Sequence, residues 1–359
     1  MRIVAILAAG GLTLAAAACG EAPDETPSGS GSSAAGTPYK ACMVTDVGGI
    51  DDKSFNASAW AGVQAAKTAQ SNVEPEYVAS DAEASYEPNL RGYVTKKCNF
   101  ILAVGGLMGD STKKVAAESP SQQFGIVDSA IDGATNVYPM QFATDQAAFL
   151  AGYVAAGYSK SGKVATYGGL KIPPVTVFMD GFADGVAYYN KQKSKNVQVL
   201  GWTKASQNGT FAESFTDQNK GKAIASNFVS QGADVIMPVA GGTGLGTAEV
   251  AKGSGGKVSV VWVDQDGCKS AEQYCDVFLT TVVKNITDAV EQAVATGAAG
   301  QPLSADPGYL GTLENNGVSI APYNQFDSKV DAGLKGEVDK LKADIIAGTV
   351  KVESASSPK

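Results

Sequence analysis

The chain has 359 residues, which is enough for two domains of ordinary size, and it contains no histidine. Without histidine, Ser-His-Asp and Cys-His nucleophile systems and histidine-containing zinc sites are excluded. The formal net charge of −8 argues against nucleic acid as a partner, because surfaces that bind nucleic acid are basic.

The N-terminal segment is typical of an exported lipoprotein. Arg2 precedes an apolar run that is too short to span a membrane comfortably. Small residues lie directly before Cys19, which resembles a bacterial lipobox. We therefore predict a signal peptide over residues 1–18, with a palmitate-type lipid on Cys19. The alternative is an ordinary secreted signal peptide.

Residues 19–38 carry the lipidated cysteine and are rich in Gly, Ser, Pro and acidic residues, so they predict a flexible tether. The expected location is the extracytoplasmic face of the cell membrane, held there by the lipid anchor. Because that compartment is oxidising, the remaining cysteines are expected to pair. We predict disulfides between Cys42 and Cys98, whose strands are neighbours in a 2-1-3 sheet order, and between Cys268 and Cys275. A metal site is disfavoured, because no two cysteines are two or three residues apart.

From residue 40 onward, short apolar segments alternate with alanine-rich helical segments. The predicted strands of the first half are residues 40–45, 73–79, 100–104, 124–127 and 136–140, with helices at 57–70, 88–96, 111–118 and 145–158. This alternation predicts right-handed crossovers and a parallel, doubly wound α/β sheet.

The same alternation begins again at residue 163. Its strands are residues 163–167, 197–202, 234–239 and 257–263, and its helices are 175–191, 217–231 and 246–252. The repeat is one of architecture rather than of residues, and it predicts two α/β lobes.

The chain from residue 277 onward departs from this alternation. Short strands and two helices there are best placed as crossings between the lobes, which would form a hinge around a ligand cleft. We predict a first lobe of residues 39–160 plus about 284–310, and a second lobe of residues 161–283 plus about 311–359.

The segment from Thr45 to Trp60 joins the first predicted strand to the first helix. The Gly48-Gly49 pair within it predicts a tight turn. In open α/β sheets, ligands bind at the carboxyl ends of strands. The candidate contacts there are Asp46, Ser54, Phe55 and Asn56.

Asn56 and Trp60 are four residues apart, so they share one face of a helix. An amide beside an indole suits a flat ligand with polar edges. The alternative is purely local structure, in which Asp51, Asp52 or Ser54 caps the helix and Trp60 belongs to the core.

Glycines and carboxylates also follow the other predicted strands. They are Gly105-Gly106, Asp128, Gly168-Gly169, Gly241-Gly242, Asp264 and Asp266. Glycines let the backbone approach a ligand closely, and carboxylates accept strong hydrogen bonds in a desolvated cleft. Lys284 follows a crossing strand and is placed to pair with a carboxylate, and Phe211 and Phe215 are placed to present a ring. For any single residue the alternative is turn or capping chemistry.

The segment Gly241-Gly-Thr-Gly-Leu-Gly246 resembles a phosphate loop but lacks the Gly-Lys-Ser/Thr ending. A glycine turn at the cleft is the better interpretation. We predict no metal and no cofactor.

Several motifs occur in order between residue 40 and the last helix. They are Asp46-Val-Gly-Gly-Ile-Asp-Asp-Lys-Ser-Phe-Asn56, Phe124-Gly-Ile-Val-Asp128, Leu150-Ala-Gly152, Ser214-Phe-Thr-Asp217 with Gly221-Lys222, Val263-Asp-Gln-Asp266 and Val282-Val-Lys-Asn285. Together with the lipobox they resemble the basic membrane protein family of lipoproteins, which includes purine nucleoside receptors of ABC transporters.

The resemblance implies a type I periplasmic-binding-protein fold, with two Rossmann-like lobes and a nucleoside between them. By resemblance, the base would be hydrogen-bonded by Asp46, Asn56 and Asp128, and sandwiched by Phe215 and either Trp60 or Phe55. The ribose would be held by Asp264, Lys284 and either Gly241 or Gly242. The expected partners are a nucleoside and an ABC permease, and we expect a monomer.

The resulting hypothesis is a lipid-anchored solute-binding protein that captures nucleosides, with purines preferred, for uptake. One alternative keeps the fold but binds a sugar or a signalling molecule. Another is a surface nucleoside hydrolase, which usually needs clustered aspartates that hold a metal, or a histidine acid. Neither is visible in the sequence, so we expect no enzymatic activity.

Overall fold

The structure is a computed structural model that describes residues 37–358. The predicted signal peptide, Cys19 and all but the end of the tether lie outside the described residues. Among residues 37–358, no helix combines the length and the apolar character needed to cross a membrane.

Strands and helices alternate through most of the chain. The strands are β1 (Tyr39–Val44), β2 (Val73–Val78), β3 (Phe100–Val104), β4 (Gln123–Val127), β5 (Val137–Phe142), β6 (Lys163–Gly168), β7 (Gln198–Leu200), β8 (Trp202–Thr203), β9 (Asn208–Gly209), β10 (Val235–Val239), β11 (Ser259–Asp264), β12 (Phe278–Lys284), β13 (Tyr309–Gly311) and β14 (Val318–Ile320). The helices are α1 (Phe55–Ala69), α2 (Tyr86–Thr95), α3 (Gly109–Glu118), α4 (Thr144–Tyr158), α5 (Pro173–Lys193), α6 (Gln218–Ser230), α7 (Leu245–Gly253), α8 (Gly267–Ser270), α9 (Ile286–Ala298) and α10 (Ala332–Ile346).

Two six-stranded sheets organise these elements. The first has the order β13-β5-β4-β3-β1-β2 and the second has the order β14-β12-β11-β10-β6-β7, so the two sheets share one topology. Their strands are parallel except β14, which runs antiparallel to β12. The predicted doubly wound α/β architecture is confirmed, including the β2-β1-β3 order.

The central strands are apolar throughout because helices cover both faces of each sheet. β3 and β10 are buried along their whole length. We call the first sheet with α1, α2, α3 and α9 the first lobe, and the second sheet with α4 to α8 and α10 the second lobe, according to how these helices pack.

Helix α4 packs against α5 and on strands of the second sheet, although its residues fall within the segment 39–160 that the sequence analysis assigns to the first lobe. Almost every α4 residue is buried. A Cβ on Gly152 of α4 would lie 2.1 Å from the carbonyl oxygen of Phe182 in α5. A Cβ on Gly185 of α5 would lie 2.0 Å from the carbonyl oxygen of Phe149 in α4. The glycines therefore allow α4 and α5 to approach closely, which fixes the position of α5 beside the cleft. The exact lobe boundaries remain a prediction.

The chain passes between the sheets three times, and the crossings are hydrogen-bonded to one another. The first crossing follows β5, where the Ala143 amide donates to the Gly311 carbonyl at 2.8 Å. The second follows β12, where the Asn285 amide donates to the Gly317 carbonyl at 2.8 Å. Gly311 and Gly317 flank the third crossing, from β13 to β14. Three adjacent crossings are an arrangement that permits the lobes to close on a ligand.

Two disulfides join the four cysteines of the described residues. Cys42 in β1 is bonded to Cys98, which lies two residues before the neighbouring β3, with their Cα atoms 6.1 Å apart. Cys268 in α8 is bonded to Cys275, with Cα atoms 4.5 Å apart. These are the pairings that the sequence analysis predicts.

Candidate functional site

A cavity lies between the carboxyl ends of the two sheets. Most of the side chains and glycines singled out in the sequence line it. They are Asp46, Phe55, Asn56, Gly105, Gly106, Asp128, Phe215, Gly241, Asp264 and Lys284.

Seven of the residues singled out in the sequence do not line the cavity: Ser54, Trp60, Gly168, Gly169, Phe211, Gly242 and Asp266. Trp60 packs edge-on against Tyr77, with the ring centroids 4.9 Å apart, and does not line the cavity. Gly242 is buried next to the cavity, and a Cβ there would lie 3.3 Å from the Phe215 carbonyl oxygen. The sequence left two choices open, Trp60 or Phe55 and Gly241 or Gly242. Phe55 and Gly241 are the members of these pairs that line the cavity.

The loop after β1 forms one end of the cavity. Asp46 is 7% exposed, and its Oδ1 accepts hydrogen bonds from the Gly48 amide and from Asn56 Nδ2, both at 2.8 Å. Burial raises the pKa of Asp46 against the lowering effect of these two bonds. Gly105, with φ of +114°, lies against this carboxylate, and a Cβ there would lie 2.9 Å from Asp46 Oδ2. The close approach requires glycine at this position.

Asn56 presents an unpartnered acceptor at the same end. Its Nδ2 is used by Asp46, and its buried Oδ1 finds no hydrogen-bond partner among residues 37–358. An unsatisfied buried carbonyl typically costs about 1–3 kcal/mol. Since Asn56 lines the cavity, a ligand N–H or O–H group would satisfy it.

Lys284 lines the cavity and is 3% exposed. Its Nζ donates to Asp128 Oδ2 of the first lobe and lies 3.8 Å from Asp264 Oδ1 of the second lobe. The rings of Phe55, Phe142 and Phe178 surround it, with centroids 4.8, 5.5 and 5.5 Å from Nζ. A cation held among rings and carboxylates is strongly oriented.

Asp128 and Asp264 hold equivalent positions in the two sheets. Asp128 directly follows β4 and Asp264 ends β11, and both strands are third from the same edge in their sheets. Both residues have left-handed backbones, with φ of +61° and +66°. Burial raises the pKa of each carboxyl, and the nearby Lys284 opposes that rise. Strained backbone of this kind concentrates at functional sites.

The second lobe supplies an apolar wall that the sequence analysis missed. Ile172, Pro174, Val175 and Phe178 line the cavity from the start of α5. A signal was present, because the loop between β6 and α5 begins at the carboxyl end of a strand, and Pro174 and Phe178 share a helix face. The second-lobe ring of Phe215 is accommodated by Gly169, where a Cβ would lie 2.3 Å from Phe215 Cε1.

The cavity is rich in acceptors and poor in cations. Four carboxylates line it, from Asp46, Asp52, Asp128 and Asp264, and Lys284 is the one basic side chain among its described lining residues. Such a site favours a neutral ligand with several N–H or O–H donors. It disfavours an anion, because repulsion between like charges is strong where water is excluded.

The comparisons with known proteins agree with this geometry. Residues 39–354 match the model of the Bmp family, described as ABC transporter substrate-binding protein PnrA-like. A CD4+ T-cell-stimulating antigen of Listeria innocua is 32% identical, over 97% of this chain and 96% of the relative. The ABC transporter nucleoside-binding protein BmpA of Lactococcus lactis is 30% identical, over 89% of this chain and 90% of the relative.

Solved structures show the same fold. An ABC transporter solute-binding protein from Aeropyrum pernix superposes with a TM-score of 0.78 at 24% identity, covering 88% of this chain and 93% of that one. The family resemblance inferred from the sequence motifs is confirmed by these matches. The chain belongs to the Bmp family of PnrA-like ABC transporter substrate-binding proteins.

Proposed function

We propose that this substrate-binding protein captures nucleosides, purine nucleosides in preference, and delivers them to an ABC permease. One observation carries the proposal: a phenyl ring from each lobe and several buried hydrogen-bond acceptors line the same cavity. The similarity to a Lactococcus lactis protein named as nucleoside-binding supports it.

Phe55 and Phe215 are the proposed stacking partners of the base. They come from opposite lobes and line the same cavity, so closure would bring a flat ring between them. Base–aromatic stacking contributes about 1–3 kcal/mol per base, and a purine offers a larger face than a pyrimidine. The unpartnered Oδ1 of Asn56, with Asp46 and Asp128, would accept hydrogen bonds from the edge of the base.

Asp264 and Lys284 are the proposed ribose partners, next to the Gly241 backbone. Each hydrogen bond between a hydroxyl and a charged group is worth about 1.5–3 kcal/mol net. The excess of carboxylates supports a nucleoside rather than a nucleotide, because a phosphate would add negative charge where only one cation is present among the described lining residues.

The remaining features of the hypothesis come from the sequence. Lipidation of Cys19 and a flexible tether would hold a monomer at the extracytoplasmic face, beside its permease. Mass spectrometry of the membrane-bound protein should find Cys19 modified by lipid, and Cys19→Ser should release the protein into the soluble fraction. An unmodified Cys19 in the membrane fraction would overturn the anchor.

Calorimetry tests the ligand class. Inosine, guanosine and adenosine should bind, uridine more weakly, and free ribose and inosine 5′-monophosphate at least about ten-fold more weakly than inosine, which corresponds to about 1.4 kcal/mol. Binding of ribose without binding of any nucleoside would overturn the stacking assignment and favour the sugar alternative. Recovery of intact inosine after incubation separates binding from hydrolysis.

A matched pair of variants tests the site itself. Asp264→Ala removes a carboxylate that lines the cavity, and Asp266→Ala removes one that caps α8 two residues further on. Only Asp264→Ala should abolish tight binding of inosine. Equal losses in both variants would contradict the proposed ribose contact.

A further inference from the structure

Ser54 occupies the N-cap position of α1, yet its hydroxyl does not cap the helix. A serine at this position normally accepts a hydrogen bond from an amide in the first turn. Here the Asp52 carboxylate does so instead, accepting from the amides of Ser54, Asn56 and Ala57 at 3.0, 2.8 and 3.1 Å. The Ser54 hydroxyl is therefore free for another partner.

That partner lies in the other lobe. Ser54 Oγ is 2.6 Å from Asp264 Oδ2, and because a carboxylate only accepts, the hydroxyl donates. Ser54 is fully buried and Asp264 is 7% exposed. Beside this bond, Trp262 Nε1 donates to the Lys53 carbonyl at 3.4 Å. The loop before α1 is thus docked onto the end of β11.

The bond leaves the rest of the Asp264 carboxylate available to the cavity. Oδ2 is held by Ser54, while Oδ1 lies on the side of Lys284, 3.8 Å from its Nζ. One held oxygen fixes the rotation of a carboxylate about its Cβ–Cγ bond. At the equivalent position in the first lobe, Asp128 is instead held by Lys284, so this serine contact is peculiar to Asp264.

We propose that Ser54 is a positioning residue for sugar recognition. From the first lobe it orients the Asp264 carboxylate so that this group accepts hydrogen bonds from two neighbouring sugar hydroxyls, and recognition of the sugar is completed only when the lobes are closed. The inference rests on the proposed nucleoside function. It adds that the protein discriminates between sugars only when the two lobes are closed.

The test compares inosine with 2′,3′-dideoxyinosine, which keeps the base and lacks the two hydroxyls. Ser54→Ala should weaken inosine binding by about ten-fold or more, as expected for a hydrogen bond to a charged group, and the dideoxy analogue by no more than about two-fold. Ser58→Ala is the matched control, because it removes a buried hydroxyl of the same helix that bonds the Ser54 carbonyl at 2.5 Å. It should change the affinities for both ligands by the same factor.

A merely structural role for Ser54 predicts equal losses for both ligands, and that result would overturn the inference. Ser54→Cys keeps the volume and weakens the donor, so it should show the same selective loss if the alanine variant does not fold. In an Asp264→Asn background, Ser54→Ala should leave the ratio of the two affinities unchanged. Failure of the wild-type protein to bind inosine would reject the nucleoside function and this inference with it, whereas wild-type binding with an unchanged ratio in Ser54→Ala would reject the inference alone.

Discussion

Replacing Lys284 with methionine should destabilise the protein in a pH-dependent way. The variant keeps an unbranched side chain among the rings of Phe55, Phe142 and Phe178 but removes the cation that pairs with Asp128. Breaking a buried ion pair by removing one partner typically costs about 3–5 kcal/mol, because the remaining charge is left uncompensated. Since Asp264 also lies within 3.8 Å of the cation, we expect a loss at the upper end of that range.

The sign of the pH dependence follows from the direction of the carboxyl shifts. Burial raises the pKa of Asp128 and of Asp264 in the folded state, and loss of Lys284 would raise both further. Between the unfolded pKa of about 3.9 and the raised folded pKa, the folded state holds more protons, so the free energy of unfolding falls as pH rises. The deficit of Lys284→Met should therefore be smaller at pH 5 than at pH 8.

Urea denaturation at the two pH values measures this difference. Lys222→Met is the matched control, because Lys222 forms an exposed pair with Glu249 that should contribute less than about 1 kcal/mol at either pH. A loss for Lys284→Met that equals the control, or that shrinks as pH rises, would refute the electrostatic account of the cleft. Calorimetry on the same variant should show weaker inosine binding.

Three further outcomes are expected. Burial raises the pKa of Asp52 to about 7, so the free energy of unfolding of the wild-type protein should fall by up to about 1.4 kcal/mol per pH unit between about pH 4 and 7. Asp52→Asn should flatten that slope in urea denaturation at pH 5, 6 and 7. An unchanged slope would contradict the raised value. Phe215→Ala should weaken binding of purine nucleosides by about 1–3 kcal/mol in calorimetry, and a loss below this range would argue against stacking. Deleting residue 353 onward removes the Ser357 donor to the buried Asp145 Oδ2 and the Ser354 donor to Asp180 Oδ2, which keeps a hydrogen bond from Gln207 Nε2 at 3.1 Å. The acceptor left unsatisfied on Asp145 should cost about 1–3 kcal/mol and lower the melting temperature by a few degrees; unchanged melting would show that these bonds are not stabilising.

The alternation of strands and helices was predictable because local patterns of apolar residues determine it. The position of each strand's carboxyl end follows from that alternation, and it located Asp46, Asp128 and Asp264 without any contact information. What the alternation cannot show is which sheet a helix covers. Helix α4 is apolar on all sides, so its sequence carries no face that distinguishes one lobe from the other.

The choice between Phe55 and Trp60 was open for a geometric reason. Trp60 shares a helix face with Asn56, but it lies about one turn (about 5.4 Å) further along α1 and so further from the strand ends that form the cavity. There it meets Tyr77 of β2. Phe55 is the first residue of α1 and lies at the cavity edge. The spacing rule identifies residues on one face, but the depth of each along the helix axis decides which of them a ligand can reach.

The two equivalent aspartates of the cleft link stability to recognition. A left-handed backbone costs a non-glycine residue on the order of 1–3 kcal/mol, and Asp128 and Asp264 both adopt it. Burial also raises the pKa of both carboxyls, so ionisation is disfavoured unless donors are supplied. A ligand that carries several hydroxyl and N–H groups supplies those donors. The same residues that lower the stability of the ligand-free protein therefore favour such a ligand, and the free energy of unfolding should rise with ligand concentration as RT ln(1 + [L]/Kd).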